Sequence, residues 1–245
     1  MIVEFIGSTG AGKTTLIAAV QRRLAQITDV TTPIDLVTAP FGVRGVTHTT
    51  AKNLIQEVAG WPFVVRSLPR HQAFVAYALR LLARQADFSV YTLNNLRSLE
   101  RKIGVYEILR RYGRDRIVLV DEGTVLTAHN IFVYSSALYS TEEIAKFASL
   151  IPLPDVIVYV RAPMYSLVQR ALLRPDPPRE FKSKNQAQIE LYINRAVAMF
   201  EQLVSADRIR KRVLIVENPE SVDKGPDTAA DYITEFVLNY EPVGQ

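Results

Sequence analysis

The sequence contains no cysteine. That excludes a disulfide framework, a thiolate nucleophile and a thiolate metal site together. Histidine is nearly as scarce: His48, His71 and His129 are far apart and lack metal-ligand spacing, so they read as ordinary residues. No apolar run approaches the length needed to cross a bilayer, and strand-like sequence from Ile2 leaves no room for a signal peptide. The expectation is a cytoplasmic protein without membrane contact. Neither sign of charge dominates, since 29 Lys and Arg against 25 Asp and Glu give a net charge of +4. The pI of about 9.3 is basic, yet there is no long Lys/Arg run and no nucleic-acid motif, so nucleic acid is not an expected partner. Internal repeats and low-complexity linkers are also missing. The 245 residues, 48% of them hydrophobic, therefore read as a single domain, 1–245, with ample core.

What is present begins at the first residues. The apolar run Ile2-Val3-Glu4-Phe5-Ile6 leads directly into Gly7-Ser8-Thr9-Gly10-Ala11-Gly12-Lys13-Thr14. That octet fits GxxxxGK[ST], a phosphate-binding loop, with every fixed position filled. Glycines let the backbone turn tightly and aim N–H groups at phosphate oxygens. Lys13 adds a point charge, the Thr14 hydroxyl is placed for Mg²⁺, and a helix from Lys13 through Thr15 turns its N-terminus toward the anion. Residues Gly7 to Thr15 are accordingly the expected nucleotide site, with ATP and Mg²⁺ as the implied ligands.

Further along, Ile34-Asp35-Leu36-Val37 reads as a second strand. A helical insert over about 49–113 follows, punctuated by Pro62 and Pro69, with one helix ending near Gly60, another from about Arg70 and a third from about Ser89. Ile117-Val118-Leu119-Val120 is an all-apolar run of the kind buried on both faces in a parallel sheet. It delivers Asp121-Glu122-Gly123 to its C-terminal end, where the Asp121 carboxylate is placed to hold Mg²⁺ together with Thr14. Ser140-Thr141-Glu142-Glu143 has a capping-box pattern that starts a helix. Two more strands are expected at residues 155–160 and 213–216. After the first of these a helix carries Arg170 and Arg174, followed by the proline-rich stretch 175–178 and Arg179.

Phosphate loop, acid-ended strand and Arg-rich segment together resemble the P-loop nucleoside and nucleotide kinases, nearest to the thymidylate and deoxynucleoside kinase group. The resemblance implies a three-layer α/β P-loop NTPase fold, a parallel five-stranded sheet flanked by helices, with the helical insert on the substrate side. It also implies an Arg-rich lid over about 170–185, in which Arg170, Arg174 and Arg179 clamp phosphates, and an adenine contact from the turn after Val216. The chain departs from those families at Thr38-Ala39-Pro40 and at Asp121-Glu122-Gly123, so no thymidine acceptor is implied.

The expected activity is transfer of the ATP γ-phosphoryl group to a small molecule, with Lys13, Asp121, Arg170 and Arg174 as catalytic groups. If the acceptor is a hydroxyl, Asp121, Glu122 or Asp35 would take its proton. If it is a phosphate, Arg66, Arg70, Arg97 or Arg101 would hold it. An ATP- or GTP-hydrolysing switch and a polynucleotide 5′-kinase are the alternatives, and the sequence does not decide between monomer and homodimer.

Overall fold

Five strands form the centre: β1 (Ile2–Ile6), β2 (Val30–Thr31), β3 (Ile117–Val120), β4 (Val156–Arg161) and β5 (Val213–Glu217). They make one sheet in the order β2-β3-β1-β4-β5, and every pairing is parallel. All of β1 and β3 is buried, as a parallel sheet covered by helices on both faces requires. Alternation along β3 sends Ile117 and Leu119 into the main core, and Val118 and Val120 into a smaller one. The computed structural model describes residues 1–42, 46, 48–84, 90–134, 139–175, 177, 181–182, 184–218 and 226–240.

Ten helices connect and cover the strands among the described residues: α1 (Lys13–Leu24), α2 (Pro33–Thr38), α3 (Thr49–Ala83), α4 (Val90–Tyr112), α5 (Thr127–Phe132), α6 (Thr141–Leu150), α7 (Met164–Leu172), α8 (Gln186–Ser205), α9 (Asp207–Arg210) and α10 (Pro226–Leu238). The expected capping box at α6 is complete, with Ser140 and Glu143 each satisfying the other's backbone N–H. The smaller core joins Leu36 and Val37 of α2 to Val105, Tyr106, Ile108 and Leu109 of α4. No helix among the described residues is long and apolar enough to cross a membrane.

Two expectations are corrected. Residues 34–37 are helical, and the second strand lies earlier, where Val30 and Thr31 pair with Ile117 and Val118. The local chemistry is that of a helix start: Thr32 caps the Asp35 N–H at 3.3 Å, Pro33 occupies the first turn, and Asp35 complements the helix dipole. The second correction concerns α3, which runs unbroken through Pro62 and Pro69. Both prolines are exposed, so their missing N–H groups and ring clashes fall on the outer side, where no packed neighbour has to give way. Packing supplies the compensation, since α3 and α4 make the most extensive contact of any two elements.

At the centre of that contact the two backbones touch. A Cβ on Gly104 would stand 2.7 Å from both Cα and O of Gly60. Gly104→Ala should therefore lower stability by about 1–3 kcal/mol in urea denaturation, even though Ala is the better helix former. An unchanged or raised midpoint would mean that the helices separate freely there.

Candidate functional site

The parallel sheet delivers three strand ends to one edge, and a cleft of about 820 Å³ opens there. Gly7, Thr9, Gly10, Gly12, Lys13, Thr14 and Thr15 form one wall. Asp121 and Glu122 arrive from the end of β3, and Arg170 and Arg174 from the end of α7. Ser8 and Ala11 are buried beneath the loop. Gly7, Gly10 and Gly12 have φ of 145°, 86° and 86°, a left-handed series of the kind that builds anion-cradling backbone. Gly12 is also the N-cap of α1, and a Cβ there would lie 2.4 Å from Asn218 Nδ2.

Side chains pin the loop from three directions. Lys13 Nζ donates to the carbonyls of Gly7 and Ser8 at 2.8 and 3.2 Å. Arg170 donates to Gly10 O at 3.3 Å, and Asn218, just past β5, donates to Ala11 O at 2.7 Å. Asn218 thus ties the end of β5 to the loop. Thr14 Oγ1 donates to Asp121 Oδ2 at 3.4 Å. Two oxygens sharing one octahedral Mg²⁺ at adjacent corners lie about 3 Å apart, so this pair fits Mg²⁺. Among the described residues no group of three His, Asp or Glu could hold a metal alone, so remaining ligands would come from water and phosphate. Burial holds Asp121 above the ordinary carboxylate range, with the charge of Lys13 opposing and that of Glu122 reinforcing.

The other expected residues separate. Arg101 is half-buried and lies within the field of Glu122 and Glu57. Arg97, one turn away, is exposed and forks onto both carboxylate oxygens of Glu57 at 2.8 and 3.0 Å. Asp35 sits in the first turn of α2, outside the cleft lining. Arg66 and Arg70 line a different groove, near the edge of the sheet where the strands begin. Arg179 lies outside the described residues. The structure therefore brings the loop, Asp121, Glu122, Arg170 and Arg174 together and leaves Asp35, Arg66, Arg70 and Arg97 elsewhere.

It also adds residues that the sequence reading passed over. Lys102 of α4 is buried, lines the cleft and is drawn toward Glu122 and Glu4, while burial pulls its ammonium below its ordinary value. His129, Asn130 and Tyr134 complete the wall beside it. His129 stacks on Phe200 at 5.8 Å, and burial, with Lys13 and Lys102 adding to it, pushes its pKa down to about 3. It is therefore a neutral imidazole. Beneath the site, Glu4 of β1 is only 1% exposed and accepts from the N–H groups of Val125 and Leu126 at 3.2 and 2.9 Å. It fixes the segment that follows Asp121 and Glu122. Two signals were legible: Lys102 interrupts the apolar stripe of Leu99, Ile103 and Tyr106, and Glu4 interrupts an apolar strand.

No protein-family model matches the chain, and no curated protein matches it. Solved structures do. Thymidylate kinase from Ehrlichia chaffeensis superposes with a TM-score of 0.50 at 14% identity over 98% of each chain. Deoxyadenosine kinase from M. mycoides gives 0.50 at 12% identity, covering 98% of this chain and 100% of that one. Shikimate kinase from Bacteroides thetaiotaomicron gives 0.45 at 11% identity, covering 97% and 98%. The chain has a P-loop kinase-like fold, distantly related to those of small-molecule kinases. At such identity the likeness is one of fold.

Burial pushes the Glu4 carboxyl up to about 7 from 4.5, against the backbone amides of Leu126, Val125 and Gly123 and the charge of Lys102. The folded chain thus holds this proton more tightly than the unfolded chain. Its contribution to stability is complete below about pH 4.5 and is lost as pH rises through about 7. The stability of the native chain minus that of Glu4→Gln should fall by about 3 kcal/mol across that window, read from melts at several pH values. A pH-independent difference would show that Glu4 ionises normally in the fold.

Proposed function

We propose that the chain, acting as one domain, moves the γ-phosphoryl group of Mg-ATP to a small acceptor: a nucleoside, a nucleotide or another hydroxyl- or phosphate-bearing metabolite. One observation carries the reading. A phosphate-loop lysine, Arg170 of α7, Arg174 just past it and a separate set of polar groups from α4 and α5 face the same cleft. Its volume of about 820 Å³ is in the upper part of the range for small-molecule sites, about 300–1,000 Å³. The fold, that of small-molecule kinases, supports the same reading.

In such a transfer the acceptor oxygen attacks the γ-phosphorus, and the bond to the β–γ bridging oxygen breaks, its electron pair leaving with ADP. Lys13, Arg170 and Arg174 would offset charge on the oxygens of the moving group, where fixed cations in a dry site act most strongly. Thr14 and Asp121 would hold Mg²⁺, which when bound screens the β- and γ-oxygens. With Asp121 committed to that ion, Glu122 is left to take the proton of a hydroxyl acceptor. Lys102 and Arg101, on the Glu122 side, would hold an anionic group of the acceptor.

The test is incubation with Mg-ATP and pooled nucleosides, nucleotides, sugars and amino acids, following ADP and free phosphate. ADP matched by a new phosphorylated compound supports the proposal. ADP matched by free phosphate whatever is added would make the chain a hydrolysing switch, and label appearing only on an added oligonucleotide 5′ end would make it a polynucleotide kinase.

Lys13→Ala should lower kcat/KM by at least about 100-fold while the chain still melts as a folded protein; retention of more than a tenth of the activity would sink the phosphate-loop assignment. Lys102→Met should raise the acceptor KM about tenfold and leave the ATP KM alone. An equal rise in both would move Lys102 to the nucleotide.

A further inference from the structure

A second concentration of positive charge lies far from the cleft. Helices α3 and α4 converge on a groove of about 440 Å³ that is lined by Arg66, Arg70, Arg110, Arg111 and Arg114, with Glu107 as its one carboxylate. The groove adjoins another of about 690 Å³, with which it shares Arg70, Arg110 and Arg114. Met1 and Asp155 line that neighbour and immediately precede β1 and β4, and Gly113, also on it, lies in the short connection from α4 to β3. The arginines therefore stand at the edge of the sheet where the strands begin, opposite the Lys13 loop.

The charge is not balanced internally. Glu107 receives His71 Nε2 at 2.7 Å on one oxygen and Arg70 at 3.3 Å on the other, so its charge is already shared. Arg66, Arg110, Arg111 and Arg114 form no direct ion pair among the described residues, although Arg110 hydrogen-bonds Tyr106 and stands in the fields of Glu107 and Asp155. The C-terminus of α4 favours cations in its last turn and accounts for Arg110 and Arg111. It does not account for Arg66 and Arg70, which come from a different helix to the same concavity. Gathering unpaired guanidiniums in one groove is unfavourable until an anion joins them.

We infer that this groove is a binding site for a multiply charged phosphate ligand, separate from the cleft and independent of the phosphotransferase reading. Planar guanidinium forks suit phosphate oxygens two at a time, and several forks on two helices suit a run of phosphates better than a single one. The same chemistry has two sources: a polyphosphate-bearing small molecule, or the backbone of a single-stranded nucleic acid continuing into the neighbouring groove.

The test uses the full chain carrying Lys13→Ala, so that phosphate binding in the cleft is weakened and the groove is read by itself. Inorganic tripolyphosphate is titrated calorimetrically into this protein and into one that also carries Arg66→Ser and Arg111→Ser. Both arginines are exposed, so the fold should survive, and a melting curve checks it. The expected result is one equivalent bound, weakened at least about tenfold by the two serines and falling with added salt. Failure to bind, binding indifferent to the serines, or equal binding of sulfate at the same ionic strength would each overturn the inference. A second titration with a ten-residue oligothymidylate separates the sources. Tighter binding than tripolyphosphate, lost with the same serines, assigns the groove to a nucleic-acid backbone; tripolyphosphate binding without it assigns the groove to a small polyphosphate.

Discussion

Parallel pairing of β1 with β3 on one side and with β4 on the other is the constraint from which the rest follows. The register that sets Ile2 against Val118 and Val3 against Val156 makes three strands end at the same edge. The Lys13 loop, Asp121 and the start of α7 are then neighbours without any contact of their own having to bring them together. Parallel strands need long crossovers, and those crossovers are where the chain places its helices. The cleft is thus a consequence of topology, and its side chains refine what topology has already located.

Buried ionisable groups set the electrostatics of that refinement. Glu4 ties the segment after Asp121 to β1 through two backbone amides, while Lys102 approaches from α4 with its ammonium facing Glu4 and Glu122. Each group is costly to bury by itself, and each lowers the cost of the other. The arrangement couples the α4 side of the cleft to the loop side through a short chain of charges, Lys102 to Glu122 to Asp121 to Lys13. Such a chain lets a ligand on one wall alter the field on the other.

Helices α3 and α4 give the molecule a second axis of organisation. Their backbones meet at Gly60 and Gly104, and from that contact they run both toward the cleft and away from it. Lys102 and Arg101 lie within a turn of Gly104, Lys102 on the cleft, whereas Arg70 and Arg110 lie farther along the two helices on the second groove. One helical pair therefore contributes cations to two separate concavities, the cleft and the arginine-lined groove.

How much of this was legible in the sequence varies by residue, for physical reasons. The strand-loop-helix shape around Gly7 to Thr14 was legible because positive-φ turns need glycines at particular adjacent positions, and the strands at 117–120 and 156–160 because double burial leaves an uninterrupted apolar run. Residues 34–37 misled because a short apolar run cannot distinguish helix from strand, and the Thr32-Pro33 start decided it. Pro62 and Pro69 misled because whether a proline breaks a helix depends on which side of it faces solvent, and tertiary packing chose that side. Arg66 and Arg70 line a concavity other than the Lys13 cleft, and no local pattern in the sequence says which concavity a helix will face. What the sequence determined by itself was local: motif, strand, cap, and the oddity of a charge in an apolar stripe. Which charges share a cleft, and which gather at the opposite edge, was decided only when the parallel sheet set the direction of every connection.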